Sequence, residues 1–358
     1  MGVVRVALAL AVVLSHLPPA TFHFISGGLA VQCFFIISGF YMALVLSGKY
    51  TSASTFYSNR LLRLMPGYFV MMAIAAFALL VLNASVTISP EMLNAAYSRR
   101  DVGAFFVVEN IVVVGQELLY WFKIEPDGML QFDPLGRPET EQEGIAFRAM
   151  LIPQAWSLSM ELVFYAFAPL LVRARQSTLI WLAILSIALR FGGYLLPVDY
   201  GLWQGRFFPT ALFFFIFGIL GYRALPGVAR MPKAFGWLMN AALLAVIVAL
   251  PLAKLPGEGA RWICYGAVTL ALPFVFNAFK DIKSDRWLGE LSYPIYLVHL
   301  VVIGFVLTFE VPEPMWAVLG ATLALSISLL LLVDEPIDRW RQRRLARIQG
   351  LEPVPKAA

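Results

Sequence analysis

The stretch "DVGAFFVVENIVVVGQELLYWF" (101–122) decides how this chain is arranged. It is apolar enough to count as a membrane crossing, yet it carries Glu109, Asn110, Gln116 and Glu117. Counted as a span, it inverts everything that follows. Discounted, it leaves both ends of the chain on one side of a membrane.

Composition places the chain in a bilayer. Of its 358 residues 60% are hydrophobic and 14% charged, with a mean hydropathy of +0.77, far more apolar than a soluble domain. Segments long enough, or nearly so, to cross about 30 Å of hydrocarbon fall at 3–17, 28–47, 66–83, 154–173 and 178–197. Five more follow at 207–224, 235–252, 261–279, 290–309 and 315–333. With these ten as spans and the N-terminus inside, most of the 27 Lys and Arg residues collect on the inner side, as cytoplasmic loops require. An eleventh span at 101–122 would carry "RWRQRRLAR" (339–347) outside and destroy that bias. We therefore read 101–122 as a re-entrant or interfacial helix within a long outer segment, 84–153. Its later part, 123–150, is rich in Pro, Gly and acidic residues and reads as irregular loop.

The expectation is an all-α polytopic bundle of about ten transmembrane helices with both termini cytoplasmic. A membrane domain covers 1–335, and a basic cytoplasmic tail, 336–358, follows it. The amphipathic "EPIDRWRQRRLAR" (335–347) reads as anchoring at the membrane surface, and "GLEPVPKAA" (350–358) as disordered. The net charge of +5 belongs to cytoplasmic loops, so no nucleic-acid partner is expected. Cys33 and Cys264 sit within long apolar runs, which points to buried filler and away from a disulfide framework or a zinc site; no metal is expected.

The first span, within "MGVVRVALALAVVLSHLPPA" (1–20), imitates a signal peptide through Arg5, its aliphatic run and Ala20. Removing it would leave nine spans and spoil the charge distribution, so we read it as retained. "NAS" at Asn83 matches a glycosylation sequon but hugs the membrane.

Ionisable groups inside spans cost about 2.5–3.5 kcal/mol each on insertion scales and are functional candidates by default. Here they are His16, Glu161, Arg190 and His299. His16 follows Arg5 by eleven residues, about 16.5 Å along a helix and close to three turns, so both project from nearly one face. One elongated ligand can touch both; the plainer alternative is a snorkelling Arg and a His satisfied at the interface. Arg60 and Arg63, three apart before Pro66, share a helical face suited to a phosphate-bearing head or simply to lipid anchoring. In "WSLSMELVFY" (156–165), Trp156 stands at interface depth and Glu161 lies about 7.5 Å further in, where a carboxylate orients an imidazole, binds a hydroxyl or joins two helices. "LSYPIYLVH" (291–299) carries Tyr296 and His299, with His299 near the midplane. Ser38 and Gly39 in "FFIISGFYM" (34–42) read as a close helix contact.

Taken together, the Arg5 to His16 spacing, "GGLAVQCFFIISGFYM" (27–42), Arg60 and Arg63 with Pro66 and Tyr68, "WSLSMELVFY", "LSYPIYLVH" and "DEPIDR" (334–339) resemble the acyltransferase-3 family of integral membrane O-acyltransferases. The resemblance covers nearly the whole chain and implies transfer of an acyl group, acetyl in the first instance, from cytoplasmic acyl-CoA to a carbohydrate or glycolipid hydroxyl, in a bacterial inner membrane. It implies His16 and Glu161 as catalytic residues and Arg5, Arg60 and Arg63 as the donor-binding set. Trp156, Ser157, Tyr296 and His299 stand as substrate or structural candidates. A transporter lined by the same intramembrane groups is the alternative, against which stands the lack of a detectable repeat. A non-catalytic assembly partner would leave Arg5 and His16 unexplained.

Overall fold

The computed structural model describes residues 1–17, 24–48, 50, 52–85, 87–133, 145–253 and 257–349. Ala20, residues 134–144 of the expected loop and the expected disordered end 350–358 lie outside them.

Each of the ten apolar segments coincides with a helix: α1 (Gly2–Ser15), α2 (Gly27–Gly48), α3 (Ala53–Leu82), α6 (Trp156–Arg173) and α7 (Gln176–Gly192), then α9 (Phe208–Val228), α10 (Lys233–Ala249), α11 (Gly257–Phe279), α12 (Lys283–Thr308) and α13 (Pro314–Leu329). Between them lie α4 (Pro90–Tyr97), α5 (Arg100–Val112) and α8 (Tyr200–Arg206), and α14 (Glu335–Ile348) follows α13. Among the described residues nine helices have the length and apolarity to cross a membrane, and α1 is apolar but shorter. The protein is an all-α polytopic membrane bundle.

Helix α3 begins well before its apolar segment because Ser52 caps it, accepting a bond from Thr55 N at 3.2 Å. It runs through Pro66 and ends at Asn83, whose left-handed φ of 52° closes the helix. The sequon asparagine is thus a helix terminator.

Residues 101–122 do not form a span. Helix α5 has 13 residues, about 20 Å and too short to cross. It stops at Val113 (φ 69°) and Gly115 (φ 111°), a reversal that a branched residue tolerates only when its surroundings enforce it. The four polar residues face protein: Glu109, Asn110, Gln116 and Glu117 are all buried. Asn110 receives Leu151 N on its side-chain oxygen at 2.9 Å, and its backbone carbonyl accepts Tyr68 Oη at 2.6 Å. Gly115 N donates to Ser159 Oγ at 2.8 Å, tying the break to α6. Beyond it the chain departs from the irregular loop expected over 123–150, forming an antiparallel hairpin of β1 (Phe122–Ile124) and β2 (Leu130–Phe132), with Phe122 opposite Phe132.

Burial, and then the neighbouring Glu117 carboxylate, raise the Glu109 carboxyl from its ordinary 4.5 to about 7. The folded state therefore binds a proton that the unfolded chain releases, so stability falls as pH rises between about 4.5 and 7, and the penalty is complete above that window. The melting temperature of the solubilised protein should drop from about pH 5.5 to 7.5 more in wild type than in Glu109→Gln. Equal drops would remove Glu109 as the cause.

Helices α2 and α9 cross where both lack side chains. A Cβ on Gly39 would stand 2.0 Å from Phe215 O, and one on Gly218 2.0 Å from Ile36 O. The close contact read at Ser38 and Gly39 is this crossing. Helix α1 packs on α12 and α2, its start held where Asp285 accepts Val3 N at 3.1 Å. Cys33 and Cys264 are buried, free and side by side, with sulfurs 3.6 Å apart.

Candidate active site

Helices α1, α2, α3, α6, α11, α12 and α14 line a cavity of about 510 Å³ at one end of the bundle, within the usual range for small-molecule sites. The arginines read from the sequence meet in it. Arg5 enters from the first turns of α1, and Arg60 and Arg63 from one face of α3. Among the described residues none of the three has a carboxylate within 4 Å. Arg5 lies 5.8 Å from the ring centre of Tyr41, and its buried Nε has no hydrogen-bond partner. Arg60 reaches Tyr50 Oη only at 3.5 Å. The three guanidinium groups keep their charge and carry forked donors of the kind that suit phosphate oxygens, in a lining that also holds the carboxylates of Glu161, Asp285, Glu290 and Asp338.

Glu161 lines the same cavity, one turn beyond Ser157 on α6. Its polar neighbours are Ser38, Tyr165, Arg5 and Arg60. The structure thus places this carboxylate with the arginines, whereas the sequence reading left it between an imidazole, an acceptor hydroxyl and a neighbouring helix. Depth along a helix was legible, but the rotation that chooses among neighbours was not.

The cavity ends at Ser157 and Tyr296. Tyr296 Oη and Ser157 Oγ lie 2.7 Å apart, and both reach Gln154 O, at 2.8 and 3.3 Å. Gln154 Nε2 donates to Leu297 O at 2.7 Å, so α6 and α12 are stitched together here. Beyond that stitch, outside the cavity lining, come two histidines. The His299 ring is 5.7 Å from that of Tyr296 and 5.1 Å from that of His16. His16 is exposed at the end of α1, and His299 is fully buried.

Backbone carbonyls fix both tautomers. His16 Nδ1 lies 2.9 Å from Val12 O, and His299 Nδ1 lies 2.6 Å from Tyr296 O. A carbonyl only accepts, so each Nδ1 carries a hydrogen, and in a neutral ring the acceptor is then Nε2. The Nε2 of His299 is buried with no hydrogen-bond partner.

Trp156 caps α6 under the guanidinium of Arg206, 3.6 Å from its ring centre; Arg206 also lies 4.1 Å from that of Tyr120. Arg206 and Tyr120 were not singled out in the sequence, since partners in an aromatic–cation stack carry no spacing signal. Arg190, the fourth ionisable group within a span, belongs elsewhere. Fully buried, it donates to Gln204 O at 2.7 Å and packs on Phe213 and Phe214, a structural role. The cavity also includes Tyr41, Tyr165 and Glu290, which sequence reading missed, and Asp338, Arg341 and Gln342 of α14, which it treated as part of a surface tail. Spacings of three and four from Asp338 to Arg341 and Gln342 were the available clue.

Comparison with known proteins places this architecture. No solved structure matches the chain. It is similar to the exopolysaccharide production protein ExoZ of Rhizobium meliloti, 24% identical over 338 residues that cover 90% of this chain and 93% of that protein. It is also similar to the O-acetyltransferase OatA of Staphylococcus aureus, 23% identical over 324 residues, 80% of this chain but 48% of OatA. The chain thus spans about half the length of the staphylococcal relative. The acyltransferase-3 family model, described as an acyltransferase domain, matches residues 1–333, and the chain belongs to that family of membrane acyltransferases.

Proposed function

We propose that the chain moves an acyl group, acetyl in the first instance, from acyl-CoA at the cytoplasmic end of the bundle to a hydroxyl of a cell-surface or lipid-linked carbohydrate reached from the other side. It would do so as a multi-pass protein of a bacterial inner membrane. The observation that carries this reading is the convergence on one cavity of Arg5, Arg60 and Arg63, which have no ion-pair partner among the described residues. The names of ExoZ and OatA support acetyl as the group and a polysaccharide as the acceptor. Family membership weighs against the transporter alternative.

The nucleotide head of the donor occupies the arginine cavity, and its arm runs along α12 past Tyr296 toward the two histidines. His16 Nε2 takes the proton of the acceptor hydroxyl as that oxygen bonds to the thioester carbon. The C–S bond then breaks, and the CoA sulfur leaves as a thiolate that takes up a proton. Glu161 acts on Arg5 and Arg60 electrostatically across the cavity, and Ser157 and Tyr296 close its end toward the histidines. His299 offers its Nε2 lone pair beside His16 and positions the reacting groups. Trp156, under Arg206, frames the outer approach.

A charge-assisted hydrogen bond contributes about 1.5–3 kcal/mol. Arg60→Ala and Arg63→Ala should therefore each raise the KM for acetyl-CoA roughly tenfold or more, with the KM for the glycan acceptor little changed, in initial-rate assays on purified protein. Equal losses for both substrates would mean that these arginines anchor the fold.

A further inference from the structure

The tail helix α14 lies outside the residues that the family model matches. It is joined to α13 by a single π-helical segment, Leu330–Asp334, and folds back onto α3. Arg341 Nη1 donates to Asn59 O at 3.2 Å and Arg344 Nη1 to Ser58 Oγ at 3.0 Å, while Leu345 is buried among its neighbours. This docking fixes α14 beside the turns of α3 that carry Arg60 and Arg63. One face of it, bearing Asp338, Arg341 and Gln342, then becomes cavity wall.

That face adds a carboxamide and a further arginine–carboxylate pair to a lining that already sets Glu161, Asp285 and Glu290 among the arginines. Arg341 is buried and bonded to Asp338, yet its Nε has no partner. The Asp338 carboxylate is also approached by Gln342 Nε2 at 3.4 Å. A simple phosphate calls only for donors and positive charge. A carboxylate and a carboxamide among arginines add acceptors for hydroxyl and amino hydrogens, the groups that ribose and a purine present. The mixed set fits a nucleotide better than a lipid phosphate.

We infer that α14 is a wall of the donor site, with Arg341, Asp338 and Gln342 reading the nucleotide head of the acyl donor; this rests on the cavity being the acyl-CoA site. The helix serves recognition as well as attachment.

Binding of CoA and of pantetheine, which shares the thiol arm but lacks the nucleotide, to the purified full chain tests this by calorimetry. Wild type should bind CoA at least roughly tenfold more tightly than pantetheine. Arg341→Ala should weaken CoA by about tenfold or more and Gln342→Ala by about threefold, with pantetheine affinity unchanged in both. Gln342 is exposed, so its variant keeps the docked helix intact, and Arg343→Ala, exposed and outside the lining, should bind as wild type. CoA affinity unaltered in both lining variants, or an equal loss for CoA and pantetheine, overturns the role of α14. Failure of wild type to prefer CoA instead overturns the nucleotide reading of the cavity itself.

Discussion

His16→Ala should abolish acylation of the host glycan while the protein remains inserted and abundant. His16 sits at the exposed end of α1, where among the described residues its side chain hydrogen-bonds only within α1, to Val12 O and Ser15, so truncating it breaks no hydrogen bond between the described helices. A general base contributes about two to four orders of magnitude in rate, and at the upper end residual transfer falls below detection in surface material. Mass spectrometry of glycans from complemented cells reads the result, with immunoblotting of membranes as the control. Wild-type acylation in the variant would end the proposed mechanism, whatever becomes of the arginine cavity.

The second large effect is on the fold. Gly39→Val should leave the protein poorly expressed and strongly destabilised. At Gly39 even the first added carbon meets backbone, 2.0 Å from Phe215 O, and the reciprocal contact at Gly218 is equally close. Backbone cannot swing aside like the end of a side chain, so the cost lies at or above the usual 1–3 kcal/mol of overpacking. It falls on a helix pair that small residues allow to approach in a bilayer. Gly266→Val on α11 is the matched control, since nothing lies within 4 Å of a Cβ there. Thermal unfolding in detergent should separate the two variants clearly, and similar midpoints would show that the α2–α9 crossing yields at little cost.

Sequence carried the order and length of the crossing helices, because ten apolar runs and a charge bias are written locally. The polar residues of 101–122 showed that the stretch was no ordinary span, but not what they bonded to. Asn110 joins Tyr68 and Leu151, partners about forty residues away on either side, and no periodicity encodes such pairings. The same limit explains His299. Its depth was apparent, but its place beside His16 depends on α1 packing against α12 at opposite ends of the sequence. Cys33 and Cys264 repeat the lesson, adjacent in space across 231 positions. In the tail, basic amphipathicity suited a lipid surface and a protein groove equally well, and only the docking onto Asn59 and Ser58 distinguished them.

The stitch of Tyr296, Ser157 and Gln154 between α6 and α12 has a consequence for the cell. An enzyme that hands a group across an energised membrane must do so without short-circuiting it. A water-filled path from the arginine cavity to His16 would let protons run down their gradient at every idle moment. The hydroxyls and the carboxamide nitrogen at this junction bond to each other and to backbone, and under the proposed mechanism they would part for an arm that fills the gap it opens. Resting impermeability and turnover would then be two states of one small cluster, and proteoliposomes should hold a pH gradient until donor is added.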